Sequence, residues 1–340
     1  MAGGRIHWAA FCGGWLLLAA PVVAAKTAAV GAAGVQGRLD RLINQYRKIH
    51  SITFSATRSL VAGRLPDAAK APPVKSFKEV SRFADQGPFF FTSMFVKAGG
   101  KVQFDFQHAW NGKWDQQTQG NGIEFCVHSY HQPANTADPQ PMPGVLLPLV
   151  FLKREHHADG TIHSMRWANV RVGYKQLEQR VRTARWLHNV HGRRVAEYIP
   201  RGAVNGKDKR PRKTYTIVFM RRPDYLPKQV VLHARISLGR AVRLAYTFHY
   251  KRFATKGGPA YLPVLVHEKV SVTGGKRKPV TAEFVEHISH LQVNTPLPMK
   301  TFMINRHGIE AIYHGRKIFW VRPGSKFHPW NIPRRLYRGQ

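Results

Sequence analysis

Apolar residues recurring at every second position, in short runs separated by turn signals, constrain this chain more than any other feature. In VRLAYTFHY, Val242, Leu244, Tyr246, Phe248 and Tyr250 fall on one face and Arg243, Thr247 and His249 on the other. A half-buried strand needs that alternation, and a helix would scatter it. ITFSATRSL opposes Ile52, Phe54 and Ala56 to Thr53, Ser55 and Thr57, and NGIEFCVHSY sets Ile123, Phe125 and Val127 against Glu124, Cys126 and His128. FKEVSRFAD, PFFFTSMFV, KVQFDFQHAWNG and KWDQQTQ read as further short strands, with AGG at 98–100 and Asn111-Gly112 as turns. LPVLVHEKVSV and VTAEFVEHISHLQV flank TGGK, and EAIYHGRKIFWV reads as a last hairpin turning at His314-Gly315. About ten strands at hairpin spacing with few helices between them predict a mostly antiparallel α+β domain and disfavour a parallel α/β fold.

One helix is clear. VQGRLDRLINQYRKIHS places Val35, Leu39, Leu42, Ile43, Tyr46 and Ile49 on a single stripe. LLPLVFL at 146–152 suits a short helix or a buried strand, and YKQLEQRVRTARWL spaces Tyr174, Leu177 and Val181 helically. VAGRLPDAAKAPPVKS reads as a loop. Two strands carry apolar side chains on both faces: Tyr215, Ile217 and Phe219 against Val218 and Met220, and the series Phe89, Phe90, Phe91. A one-sided sheet shows only one such set. If the early helix covers one face, the other is left for a second helix or for a ligand.

The first 25 residues read as a signal peptide. Arg5 precedes the apolar stretch AAFCGGWLLLAAPVVAA, and Val23 and Ala25 suit cleavage before Lys26. The stretch is shorter than the roughly 20 residues that span a bilayer. The expected location is therefore outside the cytoplasm, in the periplasm or cell envelope. Cys12 leaves with the signal, so Cys126 stands alone and the fold rests on apolar packing rather than a disulfide. Fifty-three Lys and Arg against 18 Asp and Glu give a net charge of +35. Such a surface favours anionic company, here a membrane surface. Export argues against nucleic acid, and no zinc-finger spacing or RNP-type aromatic motif supports it.

The chain contains no G-x-S-x-G, H-E-x-x-H, P-loop or G-x-G-x-x-G pattern. GGK at 274–276 lacks the other residues of a phosphate loop and reads as a hairpin turn. Among 18 histidines, His287 and His290 project to opposite faces of a strand, while His128 with His131 and the pair His156-His157 lie at strand ends or loops. Solvated or hydrogen-bonded histidine accounts for all six, so no metal is expected. A carboxylate pair for hydrolysis would come from Asp105, Asp115 and Glu124, although nothing selects a pair among them. Cys126 has no nameable base and reads as packing. No catalytic residue and no cofactor is expected.

An exported chain whose amphipathic helix runs into a strand (LDRLINQYRKIHSITFSATRSL), followed by HAWNGKWDQQ, DYLPKQVVLHA and a late VNTPLP, resembles the LolA/LolB superfamily of outer-membrane lipoprotein carriers and sorting proteins. The resemblance spans roughly residues 35–305. It implies a strongly curved, incomplete antiparallel barrel with helices over its mouth, a cavity for acyl chains, and no enzyme activity. The family's carriers usually show a K-R-P-like segment whose Arg helps close the lid. VKAGGKVQFDF at 96–106 lacks that Arg, so the likeness extends to the lipid cavity and not to the energy-driven relay. Residues 26–305 are assigned to the LolA-like domain, and 306–340 to a C-terminal hairpin and basic tail without counterpart.

The expected function is an exported, monomeric carrier of lipid or lipoprotein acyl chains. Its cavity candidates are Phe89, Phe91, Phe95, Phe104, Phe106, Trp110, Trp114, Phe219, Tyr246 and Phe248, because each buried methylene contributes roughly 0.8 kcal/mol. The competing expectations are an exported hydrolase acting on an anionic polymer and a cavity-free scaffold or adhesion domain.

Overall fold

The computed structural model describes residues 34–64, 76–118, 123–128, 144–152, 195–198, 213–235, 240–274, 279–304, 311–314 and 317–320. The side chains of 103–104, 123–128, 152 and 311–320 fall outside this description. So do the expected signal peptide, the helical pattern at 174–181, the His156-His157 pair and the tail beyond 320.

The apolar stripe of the N-terminal sequence forms helix α1, residues 34–47. Leu39, Leu42 and Tyr46 are fully buried, and Ile43 is 4% exposed. Burying such a side chain is worth about 1.5–3 kcal/mol, so this face docks the helix against the sheet. The Tyr46 hydroxyl donates to the Val145 carbonyl at 3.0 Å. Val145 belongs to a 3-10 helix, Gly144–Leu152, which resolves the ambiguous LLPLVFL segment. Its Leu146 and Leu149 are fully buried, and Phe151 is 2% exposed.

Fourteen strands form one open sheet. The first six run as a meander: β1 (Ser51–Gly63), β2 (Phe77–Gln86), β3 (Phe89–Ala98), β4 (Lys101–Trp110), β5 (Trp114–Thr118) and β6 (Ile123–His128). The next six form a second meander: β7 (Val195–Tyr198), β8 (Lys213–Phe219), β9 (Pro227–Arg235), β10 (Ala241–Phe253), β11 (Ala260–Thr273) and β12 (Val280–Val293). β12 returns to pair antiparallel with β1 and joins the two halves. β13 (Ala311–His314) and β14 (Lys317–Trp320) make the expected last hairpin, and β13 joins β6 in parallel, the one departure from antiparallel pairing among the described strands. β1 also continues through Val61–Gly63, which the sequence reads as loop.

Register fixes two faces. The inner face, toward α1, carries Ile52, Phe54 and Ala56 of β1, Phe83 of β2, Tyr215, Ile217 and Phe219 of β8, Val230 and Leu232 of β9, Tyr246 and Phe248 of β10, Val266 of β11 and Ile288 of β12. All belong to one buried cluster with the two helices. β8 therefore sends Tyr215, Ile217 and Phe219 inward, while Val218 sits half-buried on the other face.

VNTPLP, DYLPKQ and HAWNGKW are structural clasps. Asn294, in VNTPLP, adopts φ 57°. Its Oδ1 accepts from the His50 amide at 2.6 Å and the Ser51 amide at 3.4 Å, and its Nδ2 donates to the Lys48 carbonyl at 3.0 Å. It thereby fixes the exit of α1 into β1. In DYLPKQ, Asp224 pairs with Arg38 and Arg41 of α1, and Leu226 is fully buried. In HAWNGKW, the Asn111 Oδ1 accepts from the Lys113 and Trp114 amides at 3.1 and 2.9 Å. Gly112 follows at φ 90°, where a Cβ would come within 2.8 Å of the Phe89 ring; only glycine fits that turn without strain.

Candidate functional site

The ten expected cavity residues are not brought together. Phe219, Tyr246 and Phe248 lie in the inner core, between 4% and 8% exposed, interlocked with α1 and the 144–152 helix. Phe106 and Trp110 share that face on β4, beside His108, and are 3% and 2% exposed. Phe104 pairs with Val96 in the ladder, but its side chain is outside the described residues. Phe89, Phe91, Phe95 and Trp114 fall on the outer face. Trp114 is buried there, and the Phe89 ring packs against Phe302 at 5.7 Å between centroids.

Phe91 and Phe95 line a groove of about 580 Å³ on the outer face of β1 to β4. That volume lies within the ~300–1,000 Å³ range of ligand sites. The ladder arranges its floor in rows: Ala84 beside Phe91, Arg82 beside Ser93 and Gln107, and Val80 beside Phe95 and Asp105. Thr301 of the short 3-10 turn Met299–Phe302 and Met303 just after it form its roof. Phe302 is 1% exposed and anchors that roof. Phe95, 38% exposed, is among the exposed large apolar side chains.

A second constellation lies partly buried on the inner face, where β2, β1, β12 and β11 run side by side. Arg58 donates from Nε to Glu268 at 2.9 Å, sets Nη2 at 2.7 Å from the same carboxylate, and reaches Glu79 with Nη1 at 3.3 Å. Its guanidinium stacks 4.1 Å from the Phe284 ring centroid and 5.4 Å from that of Phe77. Burial works against the Arg58 charge, but Glu268 and Glu79 carry its pKa above the ordinary value. Burial likewise raises the Glu268 carboxyl, while Arg58 pulls it back. Glu286 lies in the same row as Arg58 and is 9% exposed. It has no hydrogen-bond or ion-pair partner among the described residues. Burial, aided by the charge on Glu79 and opposed by Arg58, pushes its carboxyl up to about 8. Gly144 stands directly against it: a Cβ there would lie 2.7 Å from the Glu286 Cδ. With its carboxyl raised to about 8, Glu286 is mostly protonated at neutral pH.

The sequence reading passed over this cluster. Its signal is phase: Glu286 alternates with Phe284 and Ile288, and Arg58 with Phe54 and Ala56, so each polar group falls in a buried series. The hydrolase candidates need correction, because Asp105 and Asp115 cannot act as a pair. Asp105 lies on the outer face, whereas Asp115 lies on the inner one, 2.6 Å from the Nε2 of fully buried His108. Glu124 has no described side chain. His290 occupies a bulge with φ 53°, which breaks the alternation on which its expected orientation relied. Among the described residues, no group of three or more His, Cys, Asp or Glu side chains is placed to hold a metal ion, and no helix is long and apolar enough to cross a membrane. The chain matches no protein-family model and no curated protein.

Proposed function

We propose that the chain is an exported, non-catalytic carrier that holds an acyl chain of a lipid or lipoprotein in the outer-face groove. The observation that carries this reading is the groove itself: Phe91, Phe95, Val80 and Met303 offer apolar surface in a hollow of about 580 Å³. Each methylene that leaves water there contributes roughly 0.8 kcal/mol. A charge of +35 supports the second half of the reading, delivery to or collection from an anionic membrane in the periplasm or envelope. The resemblance to LolA/LolB carriers points the same way, with the occupied face changed.

The curved, barrel-like form expected of such carriers also has support. Eight neighbouring strands, β2 to β7 in sheet order, contribute to one buried cluster with α1 and the 144–152 helix. Laid flat they would span about 34 Å, wider than two helices of ~10 Å diameter side by side. A sheet that curls around them removes the mismatch.

The test is native purification of the mature chain followed by mass spectrometry of extracted lipids, with uptake of a fluorescent fatty-acyl probe as the second readout. Co-purified acyl lipid, and probe binding lost in Phe91→Glu, supports the carrier. A protein that comes empty and takes up no probe is the scaffold of the competing reading.

A further inference from the structure

The groove carries two opposite charges that are not used by the fold. Arg82 of β2 and Asp105 of β4 both line it and both are exposed. Neither makes an ion pair or hydrogen bond among the described residues. In a chain whose cations outnumber its anions 53 to 18, a carboxylate left without a cation beside a groove containing an arginine is an arrangement to be explained. The ladder shows why the two do not meet. Arg82 pairs across to Ser93, whereas Asp105 pairs with Phe95, so the residues sit two strands and one row apart. Strand spacing and rise put their Cα atoms about 12 Å from each other, and Phe95 and Ser93 lie between them on the floor.

Resting on the acyl-chain reading of the groove, we propose that its ligand has a zwitterionic head, an anionic phosphate joined to an ammonium, with the phosphate on Arg82 and the ammonium on Asp105. The acyl chain then runs along Phe91 under Met303, away from the charges. The row order supports that direction: Phe91 is one row from Phe89, whose ring packs on Phe302 of the roof, while Arg82, Asp105 and exposed Phe95 lie farther from that contact. Arginine suits phosphate because its planar donors match the oxygens in pairs, and an unpaired carboxylate adds selection for a head that also carries a positive charge.

Net charge alone would give the opposite preference. A surface of +35 attracts a purely anionic lipid more than a net-neutral one, so a preference for the zwitterion has to come from the groove. The mature chain is titrated calorimetrically with lysophosphatidylethanolamine and lysophosphatidylglycerol of one acyl length below their micelle concentrations, and with free phosphoethanolamine. We expect the ethanolamine lipid to bind about threefold or more tighter than the glycerol lipid, the scale of one exposed ion pair. Asp105→Asn should erase that preference and leave the glycerol lipid bound at least as well, whereas Arg82→Gln should weaken both. Both side chains are exposed, so neither variant endangers folding. Equal binding of the two lipids, or tighter binding of the glycerol lipid, overturns the head-group assignment and leaves the acyl reading standing. No binding of either lipid removes both. Phosphoethanolamine binding as tightly as its lysolipid would keep the head-group site and remove the acyl chain from the groove.

Discussion

Replacing Glu286 with glutamine is expected to flatten the fall in stability as pH rises through neutrality. The folded chain holds this carboxyl at about 8, against an ordinary value of 4.5. The native state therefore binds the proton more tightly than the unfolded chain does. Its contribution is complete below about pH 4.5 and is lost progressively as pH rises to 8, because the unfolded state releases the proton first. Over those roughly 3.5 pH units, at about 1.4 kcal/mol each, the loss amounts to up to about 5 kcal/mol. Glu268 is shifted in the same direction, so the wild-type curve contains both groups and the variant removes one. Glutamine keeps the shape of the neutral acid against Gly144 and cannot ionise. Urea denaturation of the mature chain at pH 5, 7 and 9 provides the free energies. The wild type should lose several kcal/mol more than Glu286→Gln between pH 5 and pH 9, and the two should converge at pH 5. Parallel curves for the two proteins would refute the assignment of a buried, protonated Glu286.

Three other substitutions test the fold. Asn294→Ala removes three hydrogen bonds at the junction of α1 and β1 and leaves a β-carbon in a left-handed conformation; a loss of about 2–3 kcal/mol is expected in urea denaturation, with a smaller one for Asn294→Gly. Gly144→Ala crowds the Glu286 carboxyl and should cost about 1–3 kcal/mol, most of it recovered in a Glu286→Ala background by a double-mutant cycle. Asp224→Ala breaks partly exposed pairs with Arg38 and Arg41, at 3.7 and 3.3 Å. Its cost should stay below about 1 kcal/mol at low salt and fade at high salt, as thermal unfolding would show.

What the sequence reveals here is whatever the chain encodes locally. The period-two runs mark the strands, and the helical stripe from Leu39 to Tyr46 marks the face of α1 that is buried, whereas Ile49, read as part of the same stripe, is buried just past the helix end. Phe89, Phe90 and Phe91 announce a two-faced strand, and the structure divides them: Phe90 is 2% exposed on the inner face, and its neighbours point outward. What covers each face is not local. The roof over Phe91 comes from Thr301 and Met303, far along the chain, and no periodicity near β3 refers to it. The inner core was legible as apolar but not as filled, since Leu146, Leu149 and Phe151 come from a segment whose pattern suited helix and strand alike. The charge cluster was legible in phase alone: Arg58, Glu79, Glu268 and Glu286 lie on four strands, brought together by the return of β12 to β1. The parallel pairing of β13 with β6 likewise depends on chain path rather than composition.

Carrier function in the outer-face groove turns on where an acyl chain sits. A fatty acid bearing a diazirine near its methyl end, bound to the mature chain and photolysed, reports that position through the peptides it labels. Labels at Phe91 and Met303, competed away by unlabelled lysolipid, are the expected result. Labels concentrated on inner-face residues such as Tyr246 and Phe248, or scattered without competition, would contradict it.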